Sequence, residues 1–153
     1  MNEAWLGPED AAAAAALHAR CFPDPWSAAA MHGSLSAQGA RAIGVWAGDA
    51  LIAFALTQEV AGEAELLTIA TAPERRGQGL AAGLLGTLIG EHEHRGTRRL
   101  MLEVAEDNTP ARRLYARFGF TEDGRRRGYY TAGRAAPADA VLMSLLLTRP
   151  PIR

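Results

Sequence analysis

The chain has 153 residues, 48% of them apolar and 22% charged, with a formal net charge of −1. That suits one packed core and supplies no long-range field toward nucleic acid or an acidic membrane, so neither partner is expected. Cys21 is the one cysteine, which excludes an internal disulfide or a multi-cysteine metal cluster and agrees with a reducing compartment.

The start carries Glu3, Glu9 and Asp10 rather than a basic patch, and Ala11 to Ala16 is too short for the apolar part of a secretion signal. No run approaches the roughly 18–20 apolar residues of a membrane span. A cytoplasmic protein is the expectation. Asn2 to Leu6 is a possible opening strand, and Pro8 to Arg20 reads as an alanine-rich helix stopped at Cys21-Phe22-Pro23. Ser27 caps a short second helix to Leu35, with Trp26 placed ahead of the cap as a staple.

From Arg41 the period changes to that of strands. Ala42 to Trp46 and Leu51 to Val60 form a hairpin about Gly48-Asp49, and Ala64 to Ala72 follows between Gly62 and Pro73. Three consecutive strands without a crossover are expected to be antiparallel. Gly79 to Arg95 is the longest helix, with Leu80, Leu84, Leu85, Leu88 and Ile89 at helical spacing and Gly96 as its stop. Gly79, Gly83, Gly86 and Gly90 fall on one narrow stripe, which suggests either a close backbone contact or a tolerated glycine-rich composition.

Arg98 to Val104 is the next strand. Thr109 to Phe118 is a helix with Thr109 as cap, Pro110 at the first helical position and Gly119 as stop. Phe120 onward and Ala140 to Leu147 complete the strands. The expectation is a single mixed α/β domain over 1–148 with a loose tail over 149–153.

The turn between the third strand and the long helix suits a phosphate. The first N–H groups of a helix have no internal partner and carry the positive end of its dipole. Gly77 and Gly79 keep Cβ atoms out of the way, and Arg75 and Arg76 add charge. A glycine-rich helix start is the plain alternative. A GxGxxG fingerprint is absent, as is a lysine-bearing phosphate loop, for the chain contains no lysine.

Glu103 interrupts Leu100-Met-Leu-Glu-Val in a strand whose alternation sets it with Met101, opposite Leu102 and Val104. Such a carboxylate is either solvated or held for a purpose. Tyr115 lies on the stripe Ala111, Leu114, Tyr115 and Phe118, where an aromatic packs with its hydroxyl toward the rim. His92 and His94 are two apart and face different ways, so no metal site is expected. Arg125 to Arg127 reads as a solvated strand end, with a role toward a ligand phosphate or an acidic partner as the alternative.

Taken in order, Leu67-Thr-Ile-Ala-Thr71, Arg76-Gly-Gln-Gly-Leu-Ala81, Leu102-Glu-Val104 and the run Asn108 to Phe120 (N-x-x-A-x-x-L-Y-x-x-x-G-F) resemble the GNAT (Gcn5-related) superfamily of acetyl-CoA-dependent N-acetyltransferases. Pro25-Trp-Ser27, Ala53-Phe-Ala55 with Thr57-Gln58, Arg126 before Tyr129-Tyr130, and Asp139-Ala140 resemble its RimI-type, ribosomal-protein-alanine branch. Thr131-Ala-Gly departs from that branch, which has proline after the tyrosine pair, and Arg125-Arg-Arg127 is unusually basic.

The resemblance implies the GNAT fold: a mostly antiparallel sheet of six or seven strands, splayed at its centre, with about four helices. It implies acetyl-CoA as co-substrate and no metal. Ile69, Ala70 and Thr71 would offer backbone groups to the pantetheine; Arg76, Gly77, Gln78, Gly79, Leu80, Ala81 and Ala82 would hold the pyrophosphate. Asn108 would contact the cofactor arm or the amine. Glu103 would be general base and Tyr115 general acid, while Tyr129, Tyr130 and the loop Thr131 to Pro137 would line the acceptor groove.

The implied acceptor is a protein N-terminus, alanine of a small-subunit ribosomal protein, served by a monomer or weak dimer. The alternatives are a lysine side chain or small metabolite as acceptor, or a non-catalytic acyl-CoA-binding module. An α-amine with pKa of about 7.7–8.0 is partly neutral near pH 7, whereas lysine at about 10.4 rarely is. Direct attack on the thioester needs no covalent intermediate, which leaves Cys21 a packing residue.

Overall fold

The structure, a computed structural model, describes residues 1–147; the expected tail at 149–153 lies outside the described residues. Seven strands, β1 (Asn2–Leu6), β2 (Ala40–Ala47), β3 (Ala50–Val60), β4 (Glu63–Thr71), β5 (Arg99–Ala105), β6 (Thr121–Tyr130) and β7 (Ala138–Leu146), form one sheet. Four helices accompany it: α1 (Ala11–Cys21), α2 (Ala28–Ser36), α3 (Leu80–Arg95) and α4 (Thr109–Arg117). The order across the sheet is β1-β2-β3-β4-β5-β7-β6. Only β4 and β5 run parallel.

The β2–β3 hairpin turns at Gly48-Asp49 as expected, with Ala47 opposite Ala50 and Gly48 at φ +60°. β5 alternates cleanly: Leu100, Leu102 and Val104 are buried, while Arg99, Met101, Glu103 and Ala105 are half-buried on the other face. Helix α1 packs on β3 and β4, and α3 on β2, β3 and β4. Phe54, Leu84, Leu85, Leu88 and Leu100 are fully enclosed, and truncating one of them to alanine costs about 2–5 kcal/mol.

The parallel junction is short. β4 meets β5 through Glu63–Arg99, Ala64–Leu100 and Glu65–Met101, and there the pairing stops. Two residues on, the β3–β4 register skips Leu67: Leu56 faces Thr68 and Thr57 faces Leu66. A single unpaired residue of this kind bends its strand and increases its twist. From Leu67 onward β4 follows β3 and leaves β5, so the sheet opens at its centre.

Two sequence readings are corrected. The cap of α4 is Asn108, whose Oδ1 accepts from the Ala111 N–H at 3.3 Å; Thr109 is already helical. The glycine stripe of α3 meets no other backbone. A Cβ at Gly83 or Gly90 would find nothing within 4 Å, and one at Gly86 would only touch the Phe118 ring at 3.7 Å.

Two buried histidines pin helices to the sheet. His18 Nδ1 accepts from the Trp26 N–H at 3.2 Å, so its Nε2–H donates to Thr68 Oγ1, also at 3.2 Å. The ring lies against Phe22 and Trp26, which fixes the α1–α2 connection over β4. His92 sits between Thr57 Oγ1 at 2.7 Å and Thr97 Oγ1 at 3.0 Å, and Thr97 donates onward to Glu59 at 2.8 Å.

Burial lowers the pKa of both imidazoles from the ordinary 6.5. The unfolded chain therefore binds more protons than the native one below that pH, and stability falls as pH drops through 6.5 toward the native values. The urea midpoint should be lower at about pH 5.5 than at about pH 7.5, above the range where carboxylates protonate. His92→Gln should flatten that dependence; an unchanged pH profile in the variant would remove His92 as a source.

Candidate active site

The site is built where the sheet opens. Ala72 N–H donates to Ile52 O at 2.8 Å, so Ile52 and Ala72 form a hydrogen-bonded pair, and two residues back Phe54 and Ala70 form another. The backbone of Ala70 is thus used within the sheet. Ile69 and Thr71 turn theirs away from β3, into the opening. The Thr71 carbonyl is already engaged, accepting from Cys21 Sγ at 3.4 Å and Arg76 Nε at 3.3 Å. Cys21, remote in sequence from the motifs, is thereby brought to one of them.

Beyond Thr71 a short 3₁₀ turn, Pro73–Arg75, leads to Gly77 and Gly79. Both are left-handed, at φ +80° and +78°, a conformation that glycine adopts without strain. Gly79 is the N-cap of α3, whose first carbonyl bond is Gly83 N–H to Gly79 O at 3.0 Å. The N–H groups of Leu80, Ala81 and Ala82 therefore have no helical acceptor. Nothing lies within 4 Å of a Cβ placed at Gly77 or Gly79, and Arg76 to Gly79 are all exposed. The turn presents free donors and the positive end of a sixteen-residue helix. Arg20 and Glu74 join the end of α1 to this turn at 2.6 Å.

On the other side stand β5 and α4. Glu103 has a side-chain exposure of 22% and an ion pair with Arg126 at 3.2 Å. Tyr115 is 4% exposed, its ring 5.7 Å from that of Phe120. Burial raises its pKa well above that of a free phenol, with a smaller contribution from Tyr130, so it is protonated throughout the physiological range. Its hydroxyl takes no hydrogen bond among the described residues, where no fully buried side-chain oxygen lacks one; the hydroxyl thus meets accessible space.

Tyr130 links the two, since burial and then the Glu103 charge raise its pKa and it in turn acts on Tyr115. Asn108, exposed at the start of α4, uses Oδ1 as a cap and keeps Nδ2 free of that bond. Surface hollows beside Trp5 and Glu91, and beside Gln38 and Arg95, include none of these residues. The open seam of the sheet is the candidate cleft.

Sequence reasoning missed the Arg126–Glu103 pair. A run of three arginines on a strand carries no indication of its partner until the register across β7 is known. It also missed Arg134, which pairs with Asp107 at 2.6 Å while its guanidinium lies 6.0 Å from the Tyr130 ring centre.

An opened sheet, a donor-rich helix start at one lip, and a carboxylate and a protonated phenol at the other are the parts of an acyl-CoA N-acyltransferase. Residues 11–120 match the family model "Acetyltransferase (GNAT) family"; the chain belongs to that family and is an acetyl-CoA-dependent N-acetyltransferase. It is 39% identical over 142 residues to the ribosomal protein bS18-alanine N-acetyltransferase of Salmonella typhimurium, covering 92% of this chain and 93% of that one.

The crystal structure of the ribosomal-protein-S18-alanine N-acetyltransferase from Escherichia coli superposes with a TM-score of 0.91 at 33% identity, over 98% of this chain and 96% of that one. Arabidopsis thaliana NAA60 in complex with acetyl-CoA shares the fold, with a TM-score of 0.82 at 18% identity over 95% of this chain and 99% of that chain.

Alanine at position 79 would have to hold a left-handed conformation, at a cost of about 1–2 kcal/mol. Gly79→Ala should therefore lower the melting temperature by roughly 2–4 °C or more, and weaken coenzyme A binding because the helix start shifts. Calorimetry of both variants with coenzyme A checks it; wild-type affinity in the mutant would remove this turn from the binding site.

Proposed function

We propose that this enzyme acetylates the N-terminal α-amine of a protein, that its acceptor is the alanine at the start of ribosomal protein bS18, and that it works in the cytoplasm as one domain over 1–148, a monomer or weak dimer. The observation that carries the reading is the seam itself: β4 and β5 separate after three residue pairs, with Glu103 and Tyr115 at one lip and the α3 start at the other. The acceptor named for the Salmonella relative supports the choice of alanine.

The residues fit acetyl-CoA. Gly77, Gln78, Gly79, Leu80, Ala81 and Ala82 would hold its pyrophosphate on unpaired N–H groups, with Arg76 beside them. Ile69 and Thr71 would pair with the pantetheine as a neighbouring strand does, since their backbone groups face the opening and those of Ala70 do not. Asn108 Nδ2 would reach the cofactor arm or the amine. Bound there, acetyl-CoA supplies an acetyl group activated as a thioester.

Glu103 accepts the proton that the amine releases as its nitrogen bonds to carbon, directly or through a water. Tyr115, kept protonated by burial, holds a proton for the departing sulfur. The Ile69 N–H, a preorganised donor facing the opening, would polarise the carbonyl under attack. An α-amine suits this apparatus better than a lysine amine, because about one to two tenths of it is already neutral near pH 7.

Mass spectrometry of peptides differing only in their first residue tests the acceptor: alanine-starting peptides should be acetylated fastest, and no preference for a small first residue would sink the assignment. Glu103→Gln should keep coenzyme A affinity and slow turnover by roughly 10²-fold or more, as for a lost general base. Tyr115→Phe should slow turnover about tenfold or more without unfolding; a variant as fast as wild type would reduce Tyr115 to packing.

A further inference from the structure

Glu103 and the ring of Tyr129 form a small cation site, and the chain fills it with its own arginine. Arg126 stands opposite Ala140 on β7, and Ala140 opposite Ala105 on β5. Glu103, Leu142 and Gly124 form the adjacent row on the same face. With only Ala140 beneath it and no side chain at Gly124, the Arg126 side chain reaches diagonally over β7. Its Nη2 lies 3.2 Å from Glu103 Oε1. Its guanidinium carbon lies 5.2 Å from the centre of the Tyr129 ring, within cation–π range.

A local distortion makes this possible. Between Arg126 and Tyr130 the β6 strand carries four steps against two on β7. The slack is taken up at Gly128, at φ +59°, whose N–H is held by Asp139 Oδ1 at 2.9 Å. That bulge returns Tyr129 over Arg126 and sets Tyr129 and Tyr130 edge to face, their rings 5.2 Å apart. Arg125, by contrast, is bound away from the seam by Glu106 and Glu122. Arg126 is 54% exposed and has no second carboxylate within ion-pair distance among the described residues; it is free to leave.

We propose that the Glu103–Tyr129 site is the subsite for the acceptor's α-ammonium, and that Arg126 is a positioning residue occupying it in the resting enzyme and yielding to the acceptor. The inference rests on the reading of Glu103 as the group that receives the amine. A carboxylate beside an aromatic face selects a compact cation, and the resident guanidinium holds the carboxylate aimed into the seam before the acceptor arrives. Arrival of the α-ammonium exchanges one cation for another, so Glu103 is not left unpaired at any stage.

The test is competition. An alanine-starting peptide is titrated into enzyme saturated with coenzyme A, which cannot react. Arg126→Ala, with no cation to displace, should bind the peptide about two- to fivefold more tightly than wild type, the scale of a half-exposed ion pair. Guanidinium chloride at about 50 mM, far below denaturing concentrations, should restore the wild-type affinity in Arg126→Ala and leave wild type unchanged against an equal concentration of sodium chloride. Arg126→Lys, which keeps the charge, should resemble wild type.

Peptide affinity in Arg126→Ala equal to or weaker than wild type, or indifferent to guanidinium, overturns the proposal. Turnover of the peptide by wild type and its loss in Glu103→Gln report separately on the acetyl-transfer reading, so the two can fail independently. Unchanged melting temperature and coenzyme A affinity in Arg126→Ala exclude a merely structural effect.

Discussion

The site depends on one unpaired residue. Leu67 has no partner across the β3–β4 ladder, and the bend it introduces carries β4 away from β5. A continuous ladder would have closed the seam and spent the outward N–H and C=O groups of Ile69 and Thr71 on β5. Because pairing stops at Glu65, the Ile69 groups and the Thr71 N–H stay available, the Thr71 carbonyl being taken by Cys21 and Arg76, while the first part of the strand remains locked in the sheet. The same bend directs the end of β4 toward the turn at Gly77 and Gly79. The free strand edge and the placement of the glycine turn are thus two results of a single register shift.

An open seam removes hydrogen bonds from the middle of a sheet, and the surrounding structure compensates. His18 bonds α1 to Thr68, one residue past the bulge, and Cys21 and Arg76 both bond the Thr71 carbonyl. His92 bonds α3 through Thr57 and Thr97 to Glu59, fixing the helix whose start presents the unpaired N–H groups. Both histidines lie in segments where apolar periodicity alone would suggest leucine. Their rings act as rigid two-ended spacers that saturate buried hydroxyls, which no aliphatic side chain could do.

The helices and strands were legible in the sequence because their ends are punctuated locally. Pro23, Gly48, Gly62, Pro73, Gly96 and Gly119 mark turns whose geometry needs no distant partner. Asn108 and Thr109 are both good caps, so the sequence leaves the start of α4 uncertain by one residue until the Asn108 oxygen is found on the Ala111 N–H. The glycine stripe of α3 fits a close contact equally well in any helix, so only the absence of a facing backbone decides against it. The strand order β5-β7-β6, and with it the Arg126–Glu103 pair, arises from pairing between distant segments; no local period encodes it. Motif spacing singles out Glu103 and Tyr115 as candidates, while the placement of Tyr130 beside them depends on the bulge at Gly128.

Among the described residues, the cations paired at the seam are guanidinium groups: Arg126 and Arg134 pair with the carboxylates of Glu103 and Asp107. A lysine in either place would carry a primary amine beside the proposed acetyl-transfer cleft. Arginine remains cationic far above neutral pH and offers no nucleophilic lone pair. The enzyme thereby keeps its own charged scaffold out of reach of the reaction it catalyses, and self-acylation of the groove has no nitrogen on which to begin.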